Sequence, residues 1–176
     1  SCRLRLSRGF PASFPEHLHT QLELVCLFSG RARMLVDGRT LFLEPGDVCL
    51  CFPGATHGYA GSEAAEGLML IAAPEQFPDF AELLERRRPA SPVVRMDELP
   101  PDTALCLDQL RRECARETSE PAVRGYAQVL LARMLPRMEL VDPPSVHSDT
   151  AYRIMRYLSR HFAEPLALTD LAGALS

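Results

Sequence analysis

The side chains best suited to chemistry in this sequence are His17, His19, Glu23 and His57. On an extended chain side chains alternate between faces, so His17, His19 and Glu23, which share a parity, can point to one side of a sheet. Val25 and Leu27 share that parity and make this side an apolar interior. A carboxylate buried there is costly unless it is paired or coordinates a cation. Two imidazoles beside it, and a third from a later strand, offer neutral nitrogen ligands. Three His and one carboxylate suit Zn, Ni, Fe, Mn or Co better than Ca or Mg. The same residues also allow a metal-free reading, in which the imidazoles hydrogen-bond Glu23 or line a ligand pocket. Arg31, Arg33, Met34 and Tyr59 are candidate pocket residues. Met34 and Tyr59 join the three His and Glu23 in the expected ligand-binding set.

The elements that must position these residues are short strands. Leu22 to Phe28 reads as a strand that Ser29-Gly30 breaks, and Arg31 to Val36 as the next. Asp37-Gly38 supplies the two left-handed positions of a hairpin turn, and Arg39 to Leu43 returns. Glu44-Pro45-Gly46-Asp47 is a turn. Val48 to Phe52 is a strand stopped by Pro53-Gly54, and Tyr59 and then Leu68 to Ala73 continue the sheet. Turn residues at this spacing predict a small antiparallel barrel or sandwich.

The second half changes period. A short helix is expected at Pro78 to Arg86, one more strand at Val93 to Met96, and an amphipathic helix over Asp102 to Glu117 with Leu105, Leu107, Leu110 and Cys114 on its apolar side. A further helix from Ala122 to about Leu140 carries Tyr126, Val129, Leu130, Met134 and Met138, and Pro136 should kink or end it. Two antiparallel helices of this kind either pack on the barrel or leave a stripe for another subunit. After the proline-bearing Asp142 to Ser145, a helix from about Asp149 spaces Ala151, Ile154, Met155, Leu158 and Phe162 on one face. Leu168, Leu171, Ala172 and Leu175 begin another, which reads as a truncated start of a further helical domain.

The 176 residues are 47% apolar and 24% charged, which excludes wholesale disorder. The formal charge is -4 and every one of the 19 basic residues is Arg, so no basic excess points this chain itself to nucleic acid. No apolar run approaches a membrane span and no signal-peptide pattern opens the chain. Cys2, Cys26, Cys49, Cys51, Cys106 and Cys114 form no C-x-x-C pair and lie mostly in apolar runs, so they read as buried, inert thiols of a reducing, cytoplasmic compartment. No phosphate-binding loop or serine nucleophile motif is present.

His17-x-His19-x3-Glu23-x6-Gly30 resembles the first motif of the cupin family, and Pro45-Gly46-Asp47 with Pro53-Gly54-Ala55-Thr56-His57 resembles its second. The gap from Pro to His is one residue shorter than in the enzyme-type pattern, the Asn that often follows is missing, and the leading Gly of the first motif is displaced to Gly9. In the tail, Ile154-x3-Leu158-x2-His161-Phe162-x-Glu164-x-Leu166-x-Leu168-x-Asp170-Leu171-Ala172 is similar to the opening of the DNA-binding domain of AraC/XylS-type transcription regulators, with Ala167 where that family usually has Ser or Thr. The order of barrel, two helices, linker and helical start also matches those regulators.

The resemblance implies a mainly β fold with α: a cupin (jelly-roll) sensor barrel over 1–98, an antiparallel helical dimerisation segment over 99–141, a linker over 142–148, and a truncated helix-turn-helix start over 149–176. It implies His17, His19, Glu23 and His57 as ligands of one divalent transition metal (Zn, Ni, Fe or Mn). The expected function is the ligand-sensing and dimerisation part of a bacterial regulator. A small-molecule effector would enter the barrel and shift the N-terminal arm (residues 1 to about 16) or the helix pair, and the missing C-terminal domain would bind DNA. No catalysis and no membrane partner are expected, and a homodimer is. The competing expectation is a metal-dependent cupin enzyme, an oxygenase or isomerase, which accounts for the ligand set but not for the tail.

Overall fold

Fifteen consecutive residues, Leu22–Val36, form one strand, and sixteen more, His57–Ala72, lie antiparallel to it along its whole length. A computed structural model describes residues 5–8, 10–115, 119–143, 150–161 and 167–175. Its elements in chain order are β1 (Arg5–Arg8), β2 (Phe14–His17), β3 (Leu22–Val36), β4 (Arg39–Leu43), β5 (Asp47–Cys51), β6 (His57–Ala72), α1 (Ala81–Arg86), β7 (Arg88–Pro89), β8 (Val93–Arg95), α2 (Pro101–Glu113), α3 (Glu120–Met134), β9 (Leu140–Val141), α4 (Thr150–His161) and α5 (Leu168–Leu175). The fold is mainly antiparallel β with helices behind it. The long β3 and β6 form the spine. At one end β1, β5 and β8 extend the sheet, in the order β1-β6-β3-β5-β8; at the other, β2 pairs with β6 and β4 with β3.

The strand break expected at Ser29-Gly30 is instead a pair of bulges inside β3, where the register against β6 shifts between Leu27 and Ser29 and again between Ser29 and Arg31. A bulge adds a residue to one strand without ending the pairing, and Gly30 takes the left-handed conformation (φ 75°) that it requires. The consequence is a change of parity. Before the bulge the odd residues Val25 and Leu27 face the roll's interior; after it the even residues Ala32, Met34 and Val36 do. Tyr59 and Leu68–Ala73, expected to continue the sheet, do so on one strand, β6, which ends at Ala72. The Asp37-Gly38 hairpin has both residues at positive φ, as expected.

Both faces of the first half of β3 are buried. Val25 and Leu27 face the interior with Cys49, Cys51 and Tyr59. Leu22, Leu24 and Cys26 face the opposite way and share a core with Leu107 and Leu110 of α2 and Val123, Ala127, Leu130, Leu131 and Met134 of α3. The helix pair therefore packs on the outer face of the sheet, the first of the two arrangements expected for it. Pro101 at the first turn with Asp102, and Arg111 and Arg112 in the last turn, suit α2 to its dipole. Pro136 ends α3 as expected, in the 3-10 turn Leu135–Arg137. The two-residue pairing of β7 with β9 ties the chain after α3 back to residue 88. Residues on both sides of position 98 thus contribute to one core.

One more expectation needs correction. Leu105, assigned to the apolar side of its helix, is 61% exposed, and Cys106 is buried in its place. The helical phase is set by Thr103, Cys106, Leu107 and Leu110. The described strands of the N-terminal arm belong to the roll: β1 pairs with Leu68–Ile71 and β2 with the start of β6. Of the expected linker and tail, 144–149, 162–166 and 176, together with Cys2 and Gly9, lie outside the described residues. Replacing Leu110, which is fully buried, by Ala is expected to cost about 2–5 kcal/mol in urea unfolding, whereas Leu105→Ala, at protein concentrations too dilute for association, should stay within about 0.5 kcal/mol. Equal costs would mean that Leu105 also packs against the sheet.

Candidate functional site

His17 ends β2, His57 begins β6, and the two are ladder partners. His19 follows in the loop after β2, whose position is held by the Gly54 N–H donating to the His19 carbonyl at 2.8 Å. Glu23 lies on the interior-facing side of β3, opposite Cys51. β2 can lie this close to β6 because residue 58 is glycine: a Cβ there would come within 2.9 Å of the Glu16 nitrogen and the Phe14 carbonyl oxygen. These local features gather the three imidazoles, with ring centroids 4.5 Å apart for His17 and His57 and 4.7 Å for His19 and His57.

Each ring is fixed by the backbone. His17 Nδ1 lies 3.1 Å from the Pro15 carbonyl oxygen, His19 Nδ1 3.1 Å from that of Gln21, and His57 Nδ1 2.9 Å from that of Ala55. A carbonyl can only accept, so each imidazole donates from Nδ1 and, when neutral, presents a bare lone pair at Nε2. The Nε2 atoms of His19 and His57 are buried and have no hydrogen-bond partner. One nitrogen from each of the three rings lies within 4.8 Å of the others.

Glu23 faces the rings. Only 2% of its surface is exposed, and 1% of that of His57. Its Oε1 accepts a hydrogen bond from the Tyr59 hydroxyl at 2.6 Å, and its Oε2 is 3.6 Å from Nε2 of both His19 and His57. That is too long for a hydrogen bond. Two donor atoms sharing one transition ion, at bond lengths of about 2.0–2.2 Å each, are separated by roughly 3–3.5 Å, so the spacing fits a shared cation better than a shared proton. The orphaned buried nitrogens fit it as well. Burial works against charge on Glu23, but the contacts from His19, His57 and Tyr59 outweigh it and hold the carboxyl well below its usual range. Burial likewise disfavours a charged His57, and Glu23 outweighs it, so the imidazole is raised above 6.5. The three His can hold a metal ion.

The other expected residues divide. Met34 is fully buried, faces the interior and sits opposite Tyr59 in the ladder. Tyr59 is 5% exposed and joins the cluster through Glu23. Arg31 and Arg33 are exposed, and Arg33 donates to the Ala60 carbonyl on the solvent side, so neither reaches the site. The bulge explains this, because it turns the odd residues outward past Gly30. Five free thiols are described, four of them buried; burial pushes Cys26 up to about 12 and disfavours its thiolate. Sequence reasoning did not find Phe14, whose ring meets His17 edge-on at 4.8 Å, or Phe10, which meets Tyr59 edge-on at 5.8 Å. Nor did it find the three carbonyls, since every residue type has one.

Residues 4–135 match the family of the AraC-like ligand binding domain. The chain is 26% identical to the HTH-type transcriptional activator RhaS of Enterobacter sp. (strain 638), over 94% of this chain and 62% of that protein's length. In fold it resembles the AraC-like transcriptional activator CuxR (TM-score 0.54, 18% identity, 89% of this chain and 57% of that one). It also resembles ToxT from Vibrio cholerae O395 bound to (E)-4-(8-methylnaphthalen-1-yl)but-3-enoic acid (TM-score 0.56, 10% identity, 98% of this chain and 70% of that one).

Proposed function

The chain belongs to the family of AraC-like ligand-binding domains, and on that premise we propose that it is the ligand-sensing and dimerisation part of a bacterial transcription regulator. The family match over residues 4–135 carries this reading. In support, the chain spans only 62% of the length of the activator it resembles, and that protein is described as HTH-type. The amphipathic α4 and the following α5 stand where a DNA-binding unit would begin. The homodimer is part of the proposal, with Leu105 and Val129 as the large apolar residues that α2 and α3 leave exposed. A cytoplasmic setting agrees with the free thiols.

In this reading a small-molecule effector binds at the interior-facing group His17, His19, Glu23, His57, Met34 and Tyr59, and changes DNA binding only to the extent that it prefers one of two arrangements of the domain. His17, His19, Glu23 and His57 hold one divalent transition ion, of which Zn, Ni, Fe and Mn suit the donor set. When bound, the ion supplies a Lewis-acidic centre for an oxygen-bearing effector. The protein orients the imidazoles through the carbonyls of Pro15, Gln21 and Ala55 and keeps Glu23 ionised in an apolar interior.

The direct test reads the coding region beyond codon 176 and measures promoter binding by the whole product with and without candidate effectors. Two helix-turn-helix units and effector-dependent binding are expected; a reading frame with no groove-binding helices overturns the proposal. The complete three-His, one-carboxylate set favours one alternative, a metal-dependent cupin oxygenase or isomerase, for which turnover with the ion loaded is the distinguishing result.

The ion's pH dependence follows from the site. Without metal, the pairing of His57 with Glu23 contributes stability that is fully present below pH 6.5 and is lost as pH rises through the raised value of His57. Metal binding needs the neutral imidazole and so gains with pH. The melting-temperature increase produced by Zn²⁺ is therefore expected to be larger at pH 8 than at pH 6. A larger increase at pH 6 would exclude these imidazoles as ligands.

A further inference from the structure

The two oxygens of Glu23 have different surroundings. Oε2 faces Nε2 of His19 and His57 at 3.6 Å, while Oε1 takes the Tyr59 hydroxyl at 2.6 Å, the short distance of a charge-assisted bond. The bond does not follow the sheet ladder. Glu23 pairs with Cys51 and Ile71, and Tyr59 with Met34 and Phe14, so the hydroxyl reaches across the interior from one end of β6 to the other end of β3. The Tyr59 ring has little freedom to withdraw: it is 5% exposed, Phe10 meets it edge-on, and Phe10 in turn lies against Gly67, where a Cβ would come within 2.2 Å of the Phe10 ring.

We propose that Tyr59 is a positioning residue: its hydroxyl occupies one oxygen of Glu23 so that the other alone is presented to His19 and His57, making the carboxylate a single-oxygen ligand for a divalent transition ion. The inference rests on the metal reading above. Without the hydroxyl, Oε1 of the buried Glu23 would lose its hydrogen-bond donor, and an unpaired charged oxygen is costly there. The carboxylate would then turn to bring both oxygens to the ion, and the coordination number would rise. Tyr59 thus acts on the ion through Glu23 and does not touch it.

The test uses Co²⁺, whose visible absorption is intense in four-coordinate sites and weak in sites of higher coordination, and the conservative substitution Tyr59→Phe, which keeps the ring against Phe10. The wild-type chain is expected to take one Co²⁺ with intense bands. Tyr59→Phe is expected to bind about 10–100-fold more weakly, as outer partners of metal ligands do, with the bands weakened and shifted. In a Glu23→Ala background the same substitution should change neither affinity nor spectrum, since the group it positions is gone. Wild-type and Tyr59→Phe proteins that bind Co²⁺ with the same affinity and spectrum overturn the role of Tyr59 and leave the metal site standing. A wild-type chain that takes no Co²⁺, Zn²⁺ or Ni²⁺ overturns the metal reading itself. Melting of the metal-free variants checks folding.

Discussion

Adding Zn²⁺ or Ni²⁺ to the metal-free chain is expected to raise its melting temperature by about 5–10 °C when the ion is present at one hundred times its dissociation constant. The size follows from linkage: an ion that binds only the folded state at that excess contributes about 2.7 kcal/mol, and each kcal/mol moves the midpoint of a domain of this size by roughly 2–4 °C. A chelator should reverse the shift. His57→Ala should abolish it, because His57 is buried, aimed by the Ala55 carbonyl and adjacent to both Glu23 and His17. Removing a direct ligand must weaken binding by more than the roughly 10–100-fold typical of its outer partners. His17→Ala should do less than His57→Ala, since β2 places His17 at the half-exposed rim of the cluster. In calorimetric or fluorescence melts, an unchanged midpoint across Zn²⁺, Ni²⁺, Fe²⁺ and Mn²⁺ would leave the imidazole cluster to the effector alone.

Gly30→Ala is the second large effect, and it is structural. Gly30 has φ 75°, and a Cβ there would stand 2.3 Å from the Ala64 carbonyl oxygen and 2.4 Å from that of Glu63. Both are backbone atoms of β6, so neither can rotate away. The dihedral alone costs about 1–2 kcal/mol for a residue with a Cβ; the collision adds the work of separating β3 from β6 at the bulge. A loss of at least about 3 kcal/mol is expected, in the range that marks a named structural failure. Gly38→Ala is the control, because Gly38 has φ 73° but open space where a Cβ would go, and it should lose only the dihedral part. Chemical denaturation of the two variants side by side isolates the crowding. Equal losses would mean that the close approach of the strands at Gly30 is not needed.

That glycine also marks how far the sequence could be read. The interior parity of Glu23, Val25 and Leu27, the Asp37-Gly38 hairpin and the stop at Pro136 were all legible, because alternation, left-handed turns and the missing proline N–H are local properties of the chain; His17 and His19 reach the same site from β2 and the loop after it, not along one extended strand with Glu23. The bulge was not legible as such. Ser29-Gly30 looks the same whether a strand ends there or kinks and goes on, and the outcome depends on β6 supplying partners for both halves. That choice decided that Met34 faces inward while Arg31 and Arg33 face solvent. In α2, two faces competed for the core; the sheet took Cys106, Leu107 and Leu110, leaving Leu105 outside.

By itself the sequence determined the types and spacing of the candidate ligands, the division into a β half and a helical half, and, through the motif order, the family to which the chain belongs. Only the tertiary structure decided that the imidazoles converge, that three carbonyls from Pro15, Gln21 and Ala55 set their tautomers, and that Tyr59 crosses the interior to hold Glu23. The physical reason is range. Periodicity and turn chemistry act over a few neighbouring residues, whereas the Tyr59–Glu23 bond joins residues 36 positions apart, and its formation depends on how the two long strands are registered against each other.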